Sequence, residues 1–315
     1  MFRWGLRQVL QTAAVLLIVS AVSFSVLKLA PGDPVELMLG DEYSPEAHAA
    51  LVAELGLDQP LPVQYAEWLW RFVQGDWGTS FISRTPIFQY AFVEALPVTL
   101  TLAIASLGLA ILLGVPLGVL SAVRKDSAWD AGAAAFVLTG TAFPSFYLGI
   151  LLIWFFGVSL GLFPTMGFVA PWNDLWGGLY HLAMPAITLS TPFMALILRT
   201  TRATLVEVME QPYIAAARAR GEPAWRVVWV HGMRNVLMPL VTLLGLQLGS
   251  LLHGAVLTET VFSLPGVGRM ITDAVLNREY VVVQAGVMMT GCLIILTNLV
   301  VDLLYPLLDP RLRPR

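Results

Sequence analysis

Few residues in this 315-residue chain have the types and spacing to do chemistry. Gly157-Val158-Ser159-Leu160-Gly161 matches Gly-x-Ser-x-Gly, which on a strand–turn–helix elbow presents a serine for acyl transfer. Here it ends an apolar run, with no acid or histidine partner near it in sequence, so the match reads as coincidence. The four histidines (His48, His181, His231, His253) are scattered and form no His-Glu-x-x-His metal motif. The single cysteine, Cys292, excludes internal disulfides and thiolate metal clusters, and its apolar surroundings read as a buried structural thiol. A phosphate loop ends in Gly-Lys-Ser/Thr. The only lysines, Lys28 and Lys125, follow Leu27 and Arg124, so this chain cannot supply one. It is therefore expected to be no enzyme, to bind no metal or other cofactor itself and to have no nucleic-acid partner.

The elements that carry these residues are unusually apolar. Hydrophobic residues make up 57% of the chain and charged residues 12%, against about 25% charged in soluble domains. The mean hydropathy is +0.75. A soluble fold of this composition would expose large apolar patches, whereas a lipid-solvated one would not. The first apolar stretch, Val9–Ala30, exceeds the roughly 7–15 residues of a cleaved signal and reads as a retained span. Five more qualify by length: Pro97–Val123, Ala131–Leu162, Leu182–Leu198, Val236–Phe262 and Val281–Leu304. The expected fold is an all-α membrane protein with six transmembrane helices. Pro116, Pro144, Pro185 and Pro192 mark kinks or cavity walls within them, and Gly114-x-x-x-Gly118 permits close helix approach.

Placing the N-terminus in the cytoplasm puts thirteen of the eighteen basic residues inside, six of them between Arg199 and Arg234. The positive-inside rule favours this orientation, with the C-terminus inside as well. Three regions follow: an N-terminal helix (1–30), an external acidic loop (31–96) and a five-helix core (97–315). The external loop carries ten acids against two arginines between Gly32 and Ala95. Within it, Ser44–Leu55 opens with a serine cap and a proline, the signature of a helix start.

The cytoplasmic loop 200–235 holds a short helix, Pro212–Arg220, bounded by a first-turn proline and by Gly221 just past its end. Its alanines favour helix, and Arg218 and Arg220 suit its C-terminal pole. Helices this short are marginal alone in water, so this one needs a docking partner. Spans four to six hold only His253, Glu259 and Asp302 among histidines and charged residues, fewer than an ion-coupled carrier usually shows.

Four separated motifs then carry a family resemblance across almost the whole chain. They are Leu29-Ala30-Pro31-Gly32-Asp33-Pro34; Tyr213-Ile214-Ala215-Ala216-Ala217-Arg218-Ala219-Arg220-Gly221, continued by His231, Arg234, Asn235 and Pro239; Glu259–Gly268; and Leu308-Asp309-Pro310-Arg311. On these residues the chain resembles the permease subunits of bacterial dipeptide/oligopeptide/nickel ABC importers, the first of their two paired permeases. The resemblance implies the type I importer permease fold in the inner membrane and alternating access driven by separate ATPase subunits. ATP and magnesium would be held by those one or two subunits. It further implies a second permease subunit and an extracytoplasmic substrate-binding protein.

In the family the short cytoplasmic helix couples to an ATPase groove. This assigns docking to Tyr213, Ala216, Ala217, Arg218, Arg220 and Gly221, supported by His231, Arg234, Asn235 and Pro239. The usual coupling-motif glutamate is replaced by Ala215. Asp33, Glu259, Phe262, Pro265 and Gly266 are candidates for external docking. Gln247, Ser250 and His253, recurring about every three residues, either face the translocation path or bond between helices. Peptides are the first choice of substrate, with nickel chelates, glutathione and oligosaccharides as alternatives. A stand-alone carrier, an intramembrane hydrolase built on Ser159 or a histidine, and an assembly scaffold are the readings from other classes.

Overall fold

The computed structural model describes residues 2–29, 34–39, 44–54 and 56–308. Asp33 and the motif residues Asp309–Arg311 lie outside them. Among the described residues the regular elements are helices, apart from one isolated bridge between Thr79 and Pro86. They are α1 (Phe2–Leu29), α2 (Pro34–Leu39), α3 (Pro45–Glu54), α4 (Leu61–Val73), α5 (Ile87–Val123), α6 (Ala128–Ala142), α7 (Ser145–Ser159), α8 (Leu175–Met209), α9 (Pro212–Ala219), α10 (Ala224–Val261), α11 (Val267–Leu276) and α12 (Tyr280–Leu308).

By length and composition α5, α8, α10 and the Tyr280–Leu299 part of α12 can each cross a bilayer. The α6–α7 pair makes a further span only as a helix bent by 103°. α1 contributes 28 helical residues with an apolar stretch at Leu10–Ser25. Four helices, or five with the bent pair, are thus long and apolar enough to span among the described residues, and with α1 the helical frame is roughly consistent with the six expected.

Two of the expected spans change shape. The segment read as one run, Ala131–Leu162, breaks at Phe143, whose backbone is extended (φ −85°, ψ 133°) ahead of Pro144. Proline disfavours helical geometry in the residue before it and has no N–H of its own to donate, so the helix must stop and restart. The fourth span extends well past Leu182–Leu198 in both directions. It starts at Asp174, whose carboxylate accepts the Gly177 N–H at 3.1 Å as an N-cap. The expected helix in the acidic loop is present as α3, with Ser44 Oγ accepting the Ala47 N–H at 3.0 Å.

The chain divides into two compact units, Met1–Pro97 with Val267–Ile295, and Val98–Gly266 with Leu296–Arg315. In the first, the start of α5 packs with α11 and α12 through Ile87, Ala91, Met270, Ala274, Val282 and Met289. The loop before α5 is pinned by Glu279, which accepts from Ser80 Oγ at 2.8 Å and from the Ile82 N–H at 3.0 Å.

The second unit is built around α8, which buries Leu182, Leu189, Ile197 and Leu205 against its neighbours. Close approach is achieved by removing side chains. A Cβ on Gly118 would sit 2.6 Å from Thr201 Cβ and 2.8 Å from the Leu198 carbonyl oxygen, and one on Gly114 would sit 3.0 Å from Ile197 Cγ2. The Gly-x-x-x-Gly pair of α5 is thus a seat for α8, as small residues are between membrane helices.

Candidate functional site

The site grows from the chain between α8 and α10. Gln211 turns the backbone to extended geometry, and Pro212 starts α9 with its φ already helical. Ile214 and Ala217, three residues apart on one face, are buried against Val208 and Val227. This small apolar contact supplies the support that an eight-residue helix lacks by itself.

The exit from α9 is a complete Schellman motif. The Gly221 N–H bonds the Arg218 carbonyl at 2.9 Å, the Glu222 N–H bonds the Ala217 carbonyl at 3.3 Å, and Gly221 has φ +78°. The left-handed position is why glycine stands there.

Polar contacts tie the stub to α10. Asn235 Nδ2 donates to the Tyr213 hydroxyl at 2.5 Å. Glu222 gathers three basic groups: His231 Nε2 at 2.6 Å, Arg220 Nη2 at 2.8 Å and Arg226 Nε at 3.8 Å. With a carboxylate as partner, His231 Nε2 is the donor. The imidazole, and after it the Arg220 guanidinium, hold the Glu222 carboxyl below the usual carboxylate range.

What α9 offers outward is a small-residue face. Ala215, Ala216 and Ala219 are exposed, flanked by exposed Tyr213, Arg218 and Arg220. Ala217 was expected on that face; it is buried instead, because the i, i+3 spacing from Ile214 turns it toward α8 and the start of α10. Arg234, Asn235 and Pro239 are exposed at the start of α10, and His231 is half-buried.

Near this segment lies an ion pair that the sequence reading missed. Asp130, in the first turn of α6, accepts from Arg202 Nε at 2.5 Å and Nη2 at 2.6 Å, from Ser121 Oγ at 2.6 Å and from the Asp126 N–H at 3.0 Å. Arg202 had been counted only among the inside charges. The legible signal was local, since Ser127-x-x-Asp130 is an N-cap with an acid in the first turn.

The other expected positions divide. Ser250 and His253 are exposed on α10 and Gln247 is half-buried; the His253 ring bonds back to the Gly249 carbonyl at 2.8 Å. Ser250 and His253 form one exposed stripe at helical spacing with Leu246, Leu257 and Thr260.

The Glu259–Gly266 segment is a packed corner rather than a docking surface. Glu259 is 0% exposed, its carboxylate accepting from Thr99 Oγ1 at 2.6 Å, and Phe262 and Gly266 are buried. A Cβ on Gly266 would collide with that carboxylate, so the glycine makes room for the buried acid. Of the four described candidates for external docking, only Pro265 is exposed.

The Gly-x-Ser-x-Gly match dissolves on inspection. Ser159 sits in a wide helical turn at the end of α7 and donates to the Trp154 carbonyl at 2.9 Å, with no strand before it. Among the described residues no three His, Cys, Asp or Glu side chains gather as metal ligands.

Spanning helices and a short buttressed helix on the loop between two of them define a multi-pass membrane transport component. The chain belongs to the family of binding-protein-dependent transport system inner membrane components: that family's model matches residues 114–314. A companion model for the N-terminal part of such membrane components matches residues 1–111.

The dipeptide transport system permease protein DppB of Escherichia coli K12 is 41% identical, with 94% of each chain covered. A putative peptide transport system permease protein of Brucella abortus is 40% identical over 98% of each. The di/tripeptide permease protein DppB of Pseudomonas aeruginosa is 39% identical over 94% of each. In fold, the chain resembles a structure from inward-facing MetNI methionine ABC transporter, with a TM-score of 0.51 at 20% identity, over 77% of this chain and 98% of the other.

Proposed function

We propose that this chain is the permease subunit of an ABC importer that carries di- or oligopeptides across the cytoplasmic membrane. The observation that carries the reading is α9: a helix too short to stand alone, fastened by Ile214, Ala217 and the Tyr213–Asn235 bond, whose exposed face is alanines rimmed by basic side chains. Such a face admits a partner backbone closely and suits an acid-lined groove. In this reading it docks into an ATPase subunit, which holds the ATP and magnesium. The chain itself catalyses nothing.

A second permease subunit completes the pathway, lined in part by Gln247, Ser250 and His253. An extracytoplasmic binding protein delivers the substrate, and both termini lie in the cytoplasm. ATP binding draws the ATPases together, the α9 helices follow, and the bundles switch between two packings that open to opposite sides. Peptide as cargo is supported by relatives named for dipeptide and peptide transport that align along nearly the whole chain.

The test is a mild-detergent purification of the tagged chain from its native membrane, followed by reconstitution. Recovery of a second permease and phosphate-loop ATPases is expected, with uptake of a labelled dipeptide that needs ATP and the binding protein. Uptake by the chain alone would overturn the proposal in favour of a self-contained carrier.

A further inference from the structure

α4 has apolar side chains on two faces where a helix lying on a protein in water needs one. Its first face is used internally. The Tyr65 and Trp68 rings lie 5.5 and 5.8 Å from that of Phe24 on α1, and Phe72 stacks on Trp77 at 4.4 Å. The second face is a stripe at i, i+3, i+7 and i+10: Val63, Ala66, Trp70 and Val73. All four are exposed, Trp70 at 66% and Val73 at 72%. The remaining arc is polar at the same spacing, with Gln64, Glu67, Arg71 and Gln74.

The depth of α4 is set by α1. The Tyr65 hydroxyl lies 2.7 Å from Ser20 Oγ and donates to the Leu17 carbonyl at 3.5 Å. Ser20 lies inside the apolar stretch Leu10–Ser25. It is nine residues before the end of α1, about 14 Å along the helix axis. Around it Leu17, Ile18 and Val22 are exposed, as side chains facing acyl chains are.

We infer that α4 is an interfacial helix lying in the membrane leaflet at the C-terminal end of α1. Its Val63–Ala66–Trp70–Val73 stripe enters the acyl chains, and its Glu67–Arg71 stripe turns to the headgroups. The occupant of the stripe is lipid because α4 is anchored beside a lipid-facing surface at hydrocarbon depth. An exposed apolar stripe beside a charged one is also the pattern of a helix lying at a bilayer boundary. Tyr65, Trp68, Trp70 and Trp77 match the aromatic enrichment of that zone. The ring chain continues from Trp77 to Phe88 and Phe92 at the start of α5, so the helix would hold the loop between α1 and α5 at a fixed height above the bilayer.

The experiment uses the complete transporter in vesicles of phosphatidylethanolamine and phosphatidylglycerol, in a Cys292→Ser background. Nitroxide labels go on Trp70→Cys, Val73→Cys, Glu67→Cys and Arg71→Cys, and collisions with oxygen and with a water-soluble nickel chelate are compared. Oxygen is expected to dominate several-fold at 70 and 73, and the nickel chelate at 67 and 71. Nickel dominance at 70 and 73 would place the stripe in water and overturn the inference. Shielding of both positions from both reagents would overturn it too, by placing the stripe against a protein partner. Should Trp70→Cys fail to assemble, quenching of a bimane on Val73→Cys by lipids brominated on the acyl chain decides alone; absence of quenching sinks the idea.

Discussion

Asp130 and Arg202 face each other as a two-pronged ion pair, Oδ1 to Nε at 2.5 Å and Oδ2 to Nη2 at 2.6 Å, joining the first turn of α6 to α8. The carboxylate is nearly buried, while the arginine side chain keeps about a third of its surface. The remaining donors to Asp130, from Ser121 and the Asp126 N–H, leave it fully engaged. Arg202 lies seven residues before the end of α8 at Met209, about 10 Å along the axis, so the pair braces the stem from which α9 projects.

Replacing Asp130 with Asn should therefore destabilise the chain markedly. Breaking a buried pair on one side costs about 3–5 kcal/mol; because Arg202 can still reach solvent, about 2 kcal/mol is the expected loss. The double variant Asp130→Asn/Arg202→Met should lose less than the sum of the singles. Thermal melting of fluorescent-protein fusions in detergent reads both. Additive losses would mean that the two groups do not act as a pair.

The two faces of α9 should respond in opposite ways. Ala216→Glu puts a charged side chain on the exposed face, so the chain should insert and melt normally while ATPase subunits no longer co-purify. Ala217→Leu forces bulk into the contact with Val208 and Val227. Overpacking of this kind costs about 1–3 kcal/mol. Normal ATPase recovery with Ala216→Glu would remove the docking role from that face.

Gly221→Asp tests the exit turn. A side chain at φ +78° is strained by about 1–2 kcal/mol, enough to redirect the chain after α9 without unfolding the bundle. Insertion is expected to persist, with ATP hydrolysis uncoupled from uptake. Gly221→Asn, which tolerates left-handed geometry better, should retain more transport. Full transport by the Asp variant would refute the assignment.

Glu222 supplies a pH dependence with a definite sign. Its folded pKa is lowered, first by His231 and then by Arg220. Its contribution is therefore present above the unfolded glutamate value of about 4.3 and is lost as pH falls through the folded value. The difference in melting temperature between the wild type and Glu222→Gln should be present at pH 5 and shrink as the pH falls below about 4. A gap already closing at pH 6 would point to another titrating group.

Orientation is tested by labelling. In a Cys292→Ser background, an impermeant thiol reagent should reach Gln59→Cys from outside intact cells and Ala219→Cys only in inverted vesicles. The reverse pattern would invert the topology.

How much of this was legible beforehand depends on the range of the interaction. Ser44 before Pro45, Pro212 and Gly221 around α9, and the paired glycines of α5 all emerge where their types predict. Each acts through its own backbone or by lacking a side chain. Ala217 and Glu259 were misplaced for the opposite reason. The first was assigned by motif position, and which face of a short helix is buried depends on Val208 and Val227. The second reads as a surface acid until Thr99, 160 residues away, is brought to its carboxylate.

The sequence by itself determined that this chain lives in lipid, roughly where it crosses and where a short helix interrupts it, because hydropathy, proline and glycine act locally. Tertiary structure alone decided that Asp130 meets Arg202 and that Glu259 meets Thr99. It also decided that the third span bends by 103° and that α4 leans on Ser20 of α1. Those contacts join residues remote in the chain, or depend on an angle that no single residue sets. The attraction within a charge pair strengthens once packing excludes water around it, and a buried acid is tolerable only where packing also brings it a partner.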